Sequence, residues 1–206
     1  MTGKARVEFF YDLSSPWTYL AFTNRQGVLD RTGNSAVYRP ILVGGVFNAV
    51  NQSVYASRDV PDAPKVKHAW KVLKDWARLT GVAMEFPSRW HPVKSVAAMR
   101  MACALADHQA ALVSFSTSAF EAYFGRSENL DDPDVLVAAA NAVGLGGAVL
   151  LARSQTDAVK ALLRANTDEV IARGGYGSPT IFVDGTDMYF GNDQLPLVEA
   201  ALSRVR

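Results

Sequence analysis

A pair of serines followed by a proline lies where a strand pattern gives way to a helix pattern. The strand pattern, Val7 to Tyr11, runs into Ser14-Ser15-Pro16-Trp17, and proline suits the first turn of a helix. A helix N-terminus carries unsatisfied N–H groups and the positive end of the helix dipole, so it favours an anion. Ser15 is therefore a candidate donor to a bound anion. The alternative is that Ser14 or Ser15 only caps the helix, because serine is a favoured N-cap residue.

A second informative proline, Pro179, lies beside a strand pattern near the other end of the chain, in Gly177-Ser178-Pro179-Thr180-Ile181. Thiol-disulfide enzymes of the thioredoxin fold carry Cys-x-x-Cys at the first of these two points and a cis-proline at the second. Here the layout is kept and the cysteines are missing. We therefore expect the reactive sulfur to arrive on a ligand. A helix N-terminus would lower the pKa of that ligand's thiol below the usual cysteine value of about 8.5.

Composition and net charge limit the kinds of partner to be expected. The 206 residues are 49% hydrophobic and 20% charged, with a formal charge of +1. Such a chain can bury a full core as one domain, or as one domain with a large insertion. The near-neutral charge gives no reason to expect a nucleic-acid or membrane partner, so a small molecule is expected. No apolar stretch approaches transmembrane length and no signal-peptide core precedes the first strand, which predicts a cytoplasmic protein.

The cysteine and histidine content excludes two further kinds of site. Cys103 is the only cysteine, so no disulfide forms within the chain, and the three histidines show no metal-ligand spacing. Val96, Met99, Cys103 and Ala106 recur at helical spacing. This pattern predicts that Cys103 fills the core and is not a nucleophile.

Periodicity predicts the element order. Strands are expected over residues 6–12, 36–40, 180–183 and 188–190, with helices over 13–30 and 193–205 and helical periodicity through 63–173. This order predicts an α/β chain: a thioredoxin fold interrupted by a large all-helical insertion. The expected division is a discontinuous thioredoxin-like domain, 1–62 and 174–206, and a helical domain, 63–173.

Segments at both ends carry a family resemblance. They read FFYDLSSPWTYLA over residues 9–21, GYGSPT over 175–180 and FGNDQL over 190–195, with GGVFNAVN over 44–51 between them. The chain resembles the 2-hydroxychromene-2-carboxylate isomerases and the related kappa-class glutathione transferases, which are DsbA-like proteins. The resemblance implies glutathione as cofactor and a homodimer.

The resemblance assigns roles around the ligand's sulfur. It implies that the Ser15 hydroxyl donates to the glutathione thiolate and that Pro179 is cis. The backbone of Ser178 would pair with the cysteinyl backbone of glutathione like an added strand. The alternative for Pro179 is an ordinary proline at the start of a strand.

Three more polar residues receive ligand roles from the resemblance. Asn192 and Asp193 would meet the γ-glutamyl end, where a carboxylate answers the ammonium group and helix N–H groups answer the α-carboxylate. Either residue could instead be an N-cap or a first-turn acid. Asn51 matches an asparagine that contacts glutathione, although asparagine is also common in loops.

The chemistry implied is reversible addition of the thiolate to a conjugated keto acid. The family's isomerases interconvert 2-hydroxychromene-2-carboxylate and trans-o-hydroxybenzylidenepyruvate, steps in aromatic catabolism. A transferase that conjugates glutathione to a small electrophile is the alternative, and a non-catalytic glutathione-binding module is another. Cationic donors for the substrate would come from a set that sequence does not rank: Arg39, Arg58, Lys65, Lys67 and Lys94.

Overall fold

A single mixed sheet holds the two predicted site segments. The computed structural model describes residues 5–58 and 60–204, with the side chains of residues 57 and 58 outside that description. The strands are β1 Val7–Tyr11, β2 Ala36–Pro40, β3 Thr180–Val183 and β4 Asp187–Phe190. Their order is β2-β1-β3-β4, with β1 parallel to β2 and the other neighbours antiparallel. Phe9 pairs with Ile181, which brings the two ends of the chain together.

Helices make up most of the rest of the chain. They are α1 Pro16–Thr32, α2 Val43–Val50, α3 Ser53–Arg58, α4 Pro64–Thr80, α5 Val96–Cys103, α6 Gln109–Phe120, α7 Pro133–Asn141, α8 Gly147–Arg153, α9 Asp157–Ala172 and α10 Leu195–Arg204. A π-helical turn, Glu121–Gly125, follows α6. Helices α4 to α9 stand between β2 and β3, so the predicted helical insertion is confirmed. Its division from the rest as a separate domain stays a prediction, and α5 and α9 both contact β2.

The sheet separates two buried clusters. Successive side chains of a strand point to opposite faces. Phe9 and Tyr11 belong to the larger core together with residues of α1, α5, α6 and α10. Phe10 belongs to a smaller cluster with Phe182 and Val170 on the other face. Because β1 is buried on both faces, it reads as a nearly continuous apolar run, which is typical of a central strand.

Local signals explain the bounds of α1. Pro16 occupies its first position, and Gly33 ends it with φ 65°, donating its N–H to Asp30 and Leu29 carbonyls. This is a left-handed C-terminal cap that glycine adopts without strain. The helix continues to Thr32, two residues past the predicted end at Asp30.

Helix α2 was not predicted, and its sequence explains why. Gly44 and Gly45 lie in its first turn, and each glycine costs about 1 kcal/mol relative to alanine in a helix. Leu42 provides no side-chain cap. The first N–H, that of Val43, is instead bound by a carboxylate oxygen of Asp12 at 2.8 Å, so the start of this helix is stabilised from another element.

One buried carboxylate holds several arginines beside the smaller cluster, on the Phe10 face of the sheet. Glu8 on β1 is 1% exposed and accepts hydrogen bonds from Arg173 at 2.8 Å, Arg39 at 3.2 Å and Arg6 at 2.8 Å. Burial tends to raise the pKa of Glu8. The hydrogen bond and charge of Arg173, joined by the charges of Arg6 and Arg39, outweigh it and hold this pKa below its ordinary value.

The prediction that Cys103 fills the core is confirmed. Cys103 lies in the main core, 3% exposed, and burial raises the pKa of its thiol to about 12. A thiol in such a setting is inert. Within residues 5–58 and 60–204 there is no helix with the length and apolar character to cross a membrane, and no cluster of metal-ligand side chains.

Candidate functional site

Ser15 is both the cap of α1 and a hydrogen-bond donor. Its Oγ accepts the N–H of Thr18 at 3.2 Å, and its hydroxyl donates to the carbonyl of Ser178 at 3.1 Å. Capping uses a lone pair and leaves the proton for another acceptor, so the two roles weighed from the sequence are compatible. Ser14 does not cap, because its hydroxyl donates to Asp12 at 2.9 Å.

The first turn of α1 offers one further donor. Pro16 has no N–H, the N–H of Thr18 binds Ser15 Oγ, and the N–H of Tyr19 binds the Ser15 carbonyl at 3.1 Å. Among the residues that the structure describes, the N–H of Trp17 has no acceptor in the chain. An anion beside Ser15 would therefore meet one hydroxyl, one backbone N–H and the positive end of the helix dipole.

Asp12 joins the helix starts beneath this turn. The carboxylate is fully buried and accepts the Ser14 N–H at 2.8 Å, the Ser14 hydroxyl at 2.9 Å and the Val43 N–H at 2.8 Å. Burial raises the pKa of Asp12, and these bonds, with one from Ser95, oppose the rise. Since these residues lie at the starts of α1, α2 and α5, one carboxylate positions all three.

The Ser178–Pro179 peptide bond is cis, as the resemblance implies. The Ser178 side chain is held under the turn: its Oγ accepts the Asp12 N–H at 2.8 Å and contacts Thr18 Oγ1 at 2.7 Å. The backbone N–H of Ser178 has no acceptor among the described residues, although the residue is only 5% exposed. A backbone donor left unused just before β3 suits strand-like pairing with a ligand.

The loop before Pro179 is fixed by side chains. The carbonyl of Tyr176 accepts from Asn51 Nδ2 at 3.1 Å, and that of Gly177 accepts from Thr180 at 2.8 Å. Asn51 Oδ1 also accepts the hydroxyl of Ser53 at 3.0 Å. Asn51 therefore supports the loop here, and direct contact with a ligand stays a prediction.

Asn192 and Asp193 follow the end of β4, which lies next to Pro179. The N–H of Gly191 donates to the Pro179 carbonyl at 3.2 Å. Gly191 has φ 95°, a conformation that favours glycine. Asn192 is 2% exposed, and its Oδ1 accepts from Asn24 Nδ2 at 2.9 Å. Its own Nδ2 is buried without a partner in the described part of the chain, whereas Asp193 is exposed.

An aromatic wall continues from α1 into the helical segment. Tyr19, one turn after Ser15, stacks on Phe120 and Phe124 at centroid distances of 5.2 and 5.5 Å. Phe124 in turn lies 6.3 Å from Phe86. Tyr19 therefore serves in packing, and the face of α1 that follows Ser15 is apolar.

The predicted cationic donors have varied surroundings. Arg39 is committed to ion pairs with Glu8 and Glu169, so it is not available to a substrate. Lys67 pairs with Asp62 at 3.0 Å. Lys65 and Lys94 are exposed, and the side chain of Arg58 lies outside the described residues.

Three supporting residues were missed by sequence reasoning. Thr18 and Ser95 hold Ser178 and Asp12, and Asn24 holds Asn192. Only Asn24 left a signal, because asparagine is a poor residue for a helix interior and its presence there favours a specific hydrogen bond.

The fold and the turn define a thioredoxin-type protein with no cysteine at the start of α1. A family model described as a DSBA-like thioredoxin domain matches residues 6–203, and the chain belongs to this family. It is 28% identical over 196 residues to 2-hydroxychromene-2-carboxylate isomerase of Sphingobium xenophagum, covering 95% of this chain and 97% of that one. It is 26% identical to glutathione S-transferase kappa 1 of Homo sapiens, covering 93% and 88%. A solved structure of 2-hydroxychromene-2-carboxylate isomerase superposes with a TM-score of 0.80 at 24% identity, covering 97% and 95%.

Proposed function

We propose that the chain binds glutathione between the start of α1 and the Pro179 loop and holds its sulfur as a thiolate. The observation that carries this proposal is the Ser15 hydroxyl, which lies at a helix N-terminus in direct contact with the residue before a cis-proline. The one cysteine of the chain is buried in the core. A thiol-handling fold with this arrangement calls for a sulfur supplied by a ligand.

The remaining contacts suit the rest of the glutathione molecule. The unused N–H of Ser178 suits pairing with the cysteinyl backbone. The unpartnered Asn192 amide and the exposed Asp193 carboxylate precede α10, where they suit the carboxylate and ammonium groups of the γ-glutamyl end. Asn51 completes the set through the Tyr176 loop.

The reaction proposed is glutathione-dependent isomerisation of the 2-hydroxychromene-2-carboxylate type. The thiolate adds to the conjugated carbon–carbon double bond of the ring-opened keto acid, and the electron pair moves to the keto oxygen as an enolate. Rotation about the new single bond follows. Return of the electron pair expels the thiolate and restores the double bond, so glutathione is unchanged. Near end-to-end coverage of an isomerase relative supports this assignment.

A direct assay tests the reaction. Chromene and glutathione are incubated with the protein while the chromene, the benzylidenepyruvate and free thiol are each followed. Interconversion with constant free thiol is the expected result. Loss of free thiol in step with an added electrophile such as chlorodinitrobenzene would instead support a kappa-class-like transferase, which the similarity to glutathione S-transferase kappa 1 favours as the second candidate. Binding of glutathione with neither activity would leave the non-catalytic module.

The remaining expectations belong to the same proposal. A role in the breakdown of naphthalene-type aromatics, a cytoplasmic location and a homodimer all follow from the resemblance or from the sequence and stay predictions. Light scattering measures the assembly directly, and a mass equal to one chain would contradict the homodimer.

A further inference from the structure

The Ser15 hydroxyl has one proton and, in this structure, donates it in a hydrogen bond to the Ser178 carbonyl. The bond is 3.1 Å long, and the same Oγ is held as an acceptor by the Thr18 N–H at 3.2 Å. A hydroxyl donates only one hydrogen bond. The hydroxyl therefore cannot donate to a ligand's sulfur while it donates to this carbonyl.

The carbonyl, in contrast, has few alternative donors. Ser178 is 5% exposed, and its side chain is already committed to Asp12 and Thr18. Withdrawal of the Ser15 proton would leave the carbonyl of this buried residue without its partner in the chain, which is unfavourable. A ligand that brings its own N–H to this carbonyl removes that penalty.

We propose that thiol recognition and thiol ionisation are coupled at the Ser178 carbonyl. The cysteinyl amide N–H of the incoming peptide takes over this carbonyl, the Ser15 hydroxyl turns to the sulfur, and the thiol proton leaves to solvent. The site therefore ionises the thiol of a peptide with a free cysteinyl N–H, and ionises poorly a thiol that lacks one. This inference rests on the proposed binding of glutathione and adds a basis for ligand selectivity.

The test compares glutathione with its ester analogue, in which an oxygen replaces the cysteinyl N–H. Ultraviolet thiolate absorbance of each bound ligand is titrated against pH in wild type and in Ser15→Ala. Ser14→Ala is the matched control, because its hydroxyl donates to Asp12 and not to Ser178. The ratio of bound thiolate to thiol should fall about 10- to 150-fold when the amide is replaced in wild type, and by a similar factor for glutathione in Ser15→Ala. The two losses should not add.

Three results would overturn the exchange. One is a full thiolate yield with the ester analogue in wild type. Another concerns the ester analogue bound to Ser15→Ala: if its thiolate-to-thiol ratio falls by the two separate factors multiplied together, the hydroxyl and the amide act independently. The third comes from the affinities of the two ligands measured with the thiol protonated. Amide replacement should weaken binding less in wild type, where the Ser15 hydroxyl can stay on the Ser178 carbonyl, than in Ser15→Ala. Equal weakening in the two proteins contradicts the proposal.

Failure of the proposed function and failure of the exchange give different results. If glutathione itself binds wild type without forming a thiolate, or does not bind, both the function and the exchange are wrong. If glutathione forms the thiolate and the ester analogue does so equally, the exchange alone is wrong.

Discussion

Replacing Ser15 by alanine and by glycine separates its capping role from its proposed role at the sulfur. Both variants lose the hydroxyl, but glycine is an acceptable N-cap residue and alanine is not. Loss of a serine cap to alanine costs about 1 kcal/mol of stability, whereas loss to glycine costs only roughly a few tenths. Both variants also lose the 3.1 Å bond to the Ser178 carbonyl. A bond of this kind contributes about 1 kcal/mol net.

These magnitudes predict different patterns for stability and ionisation. Ser15→Ala should lose about 2 kcal/mol of unfolding free energy, and Ser15→Gly about 1 to 1.5 kcal/mol. A hydrogen bond to a charged group contributes about 1.5 to 3 kcal/mol, so both variants should lower the thiolate-to-thiol ratio of bound glutathione about 10- to 150-fold. Stability should distinguish the two variants, and ionisation should not.

Urea unfolding measures the first quantity, and thiolate absorbance of bound glutathione measures the second. Ser14→Ala provides the matched control for removal of a neighbouring hydroxyl. If both Ser15 variants keep the thiolate ratio within about twofold of wild type, well below the effect of a charge-assisted bond, Ser15 is a cap and the proposed role at the sulfur is wrong.

Three further predictions concern the scaffold. Glu8→Gln should cost about 1.5–3 kcal/mol in urea unfolding, because it removes the charge of a buried carboxylate that three partly exposed arginines share, while Glu169 still pairs with Arg39 and Arg173. Since the pKa of Glu8 is held below its ordinary 4.5, this stabilisation should be present above that pH and be lost as pH falls through the folded-state pKa. An unchanged acid transition in Glu8→Gln would contradict this. Gly175→Ala should cost about 1–3 kcal/mol or more, because the added Cβ would lie 2.5 Å from Val170 Cγ2, whereas Gly44→Ala meets nothing within 4 Å and should not destabilise. Cys103 should react with a thiol reagent only at the rate of unfolding, and fast labelling of the native protein would show that its burial is misjudged.

Local sequence was enough for the elements whose stabilising groups are near in sequence. Pro16 and Gly33 lie at the ends of α1, and each acts on its own helix. Helix α2 has no such signal, since its first N–H is bound by Asp12, which lies 31 residues earlier. The predicted pattern therefore failed where the stabilising partner was remote.

The same distinction applies to the site. Ser15 and Pro179 could be singled out because position relative to a strand is a local property. The bonds that hold them together could not, because Thr18 and Ser178 are 160 residues apart, and a pattern along one chain does not report which hydroxyls meet. For the same reason the buried amide pair of Asn24 and Asn192 needed the folded structure.

The attachment of α5 to the Ser15 turn has a consequence for how the protein can vary. Ser95 bonds Asp12, and Met99 Sδ accepts the N–H of Leu13 at 3.2 Å, so α5 grips both residues that precede the serines. A substitution that shifts α5 would tilt the first turn of α1 and re-aim the Ser15 hydroxyl. Under the proposed function, ionisation of a bound sulfur would therefore depend on α5 as well, and a search for variants with altered activity belongs as much in α5 as in the serines themselves.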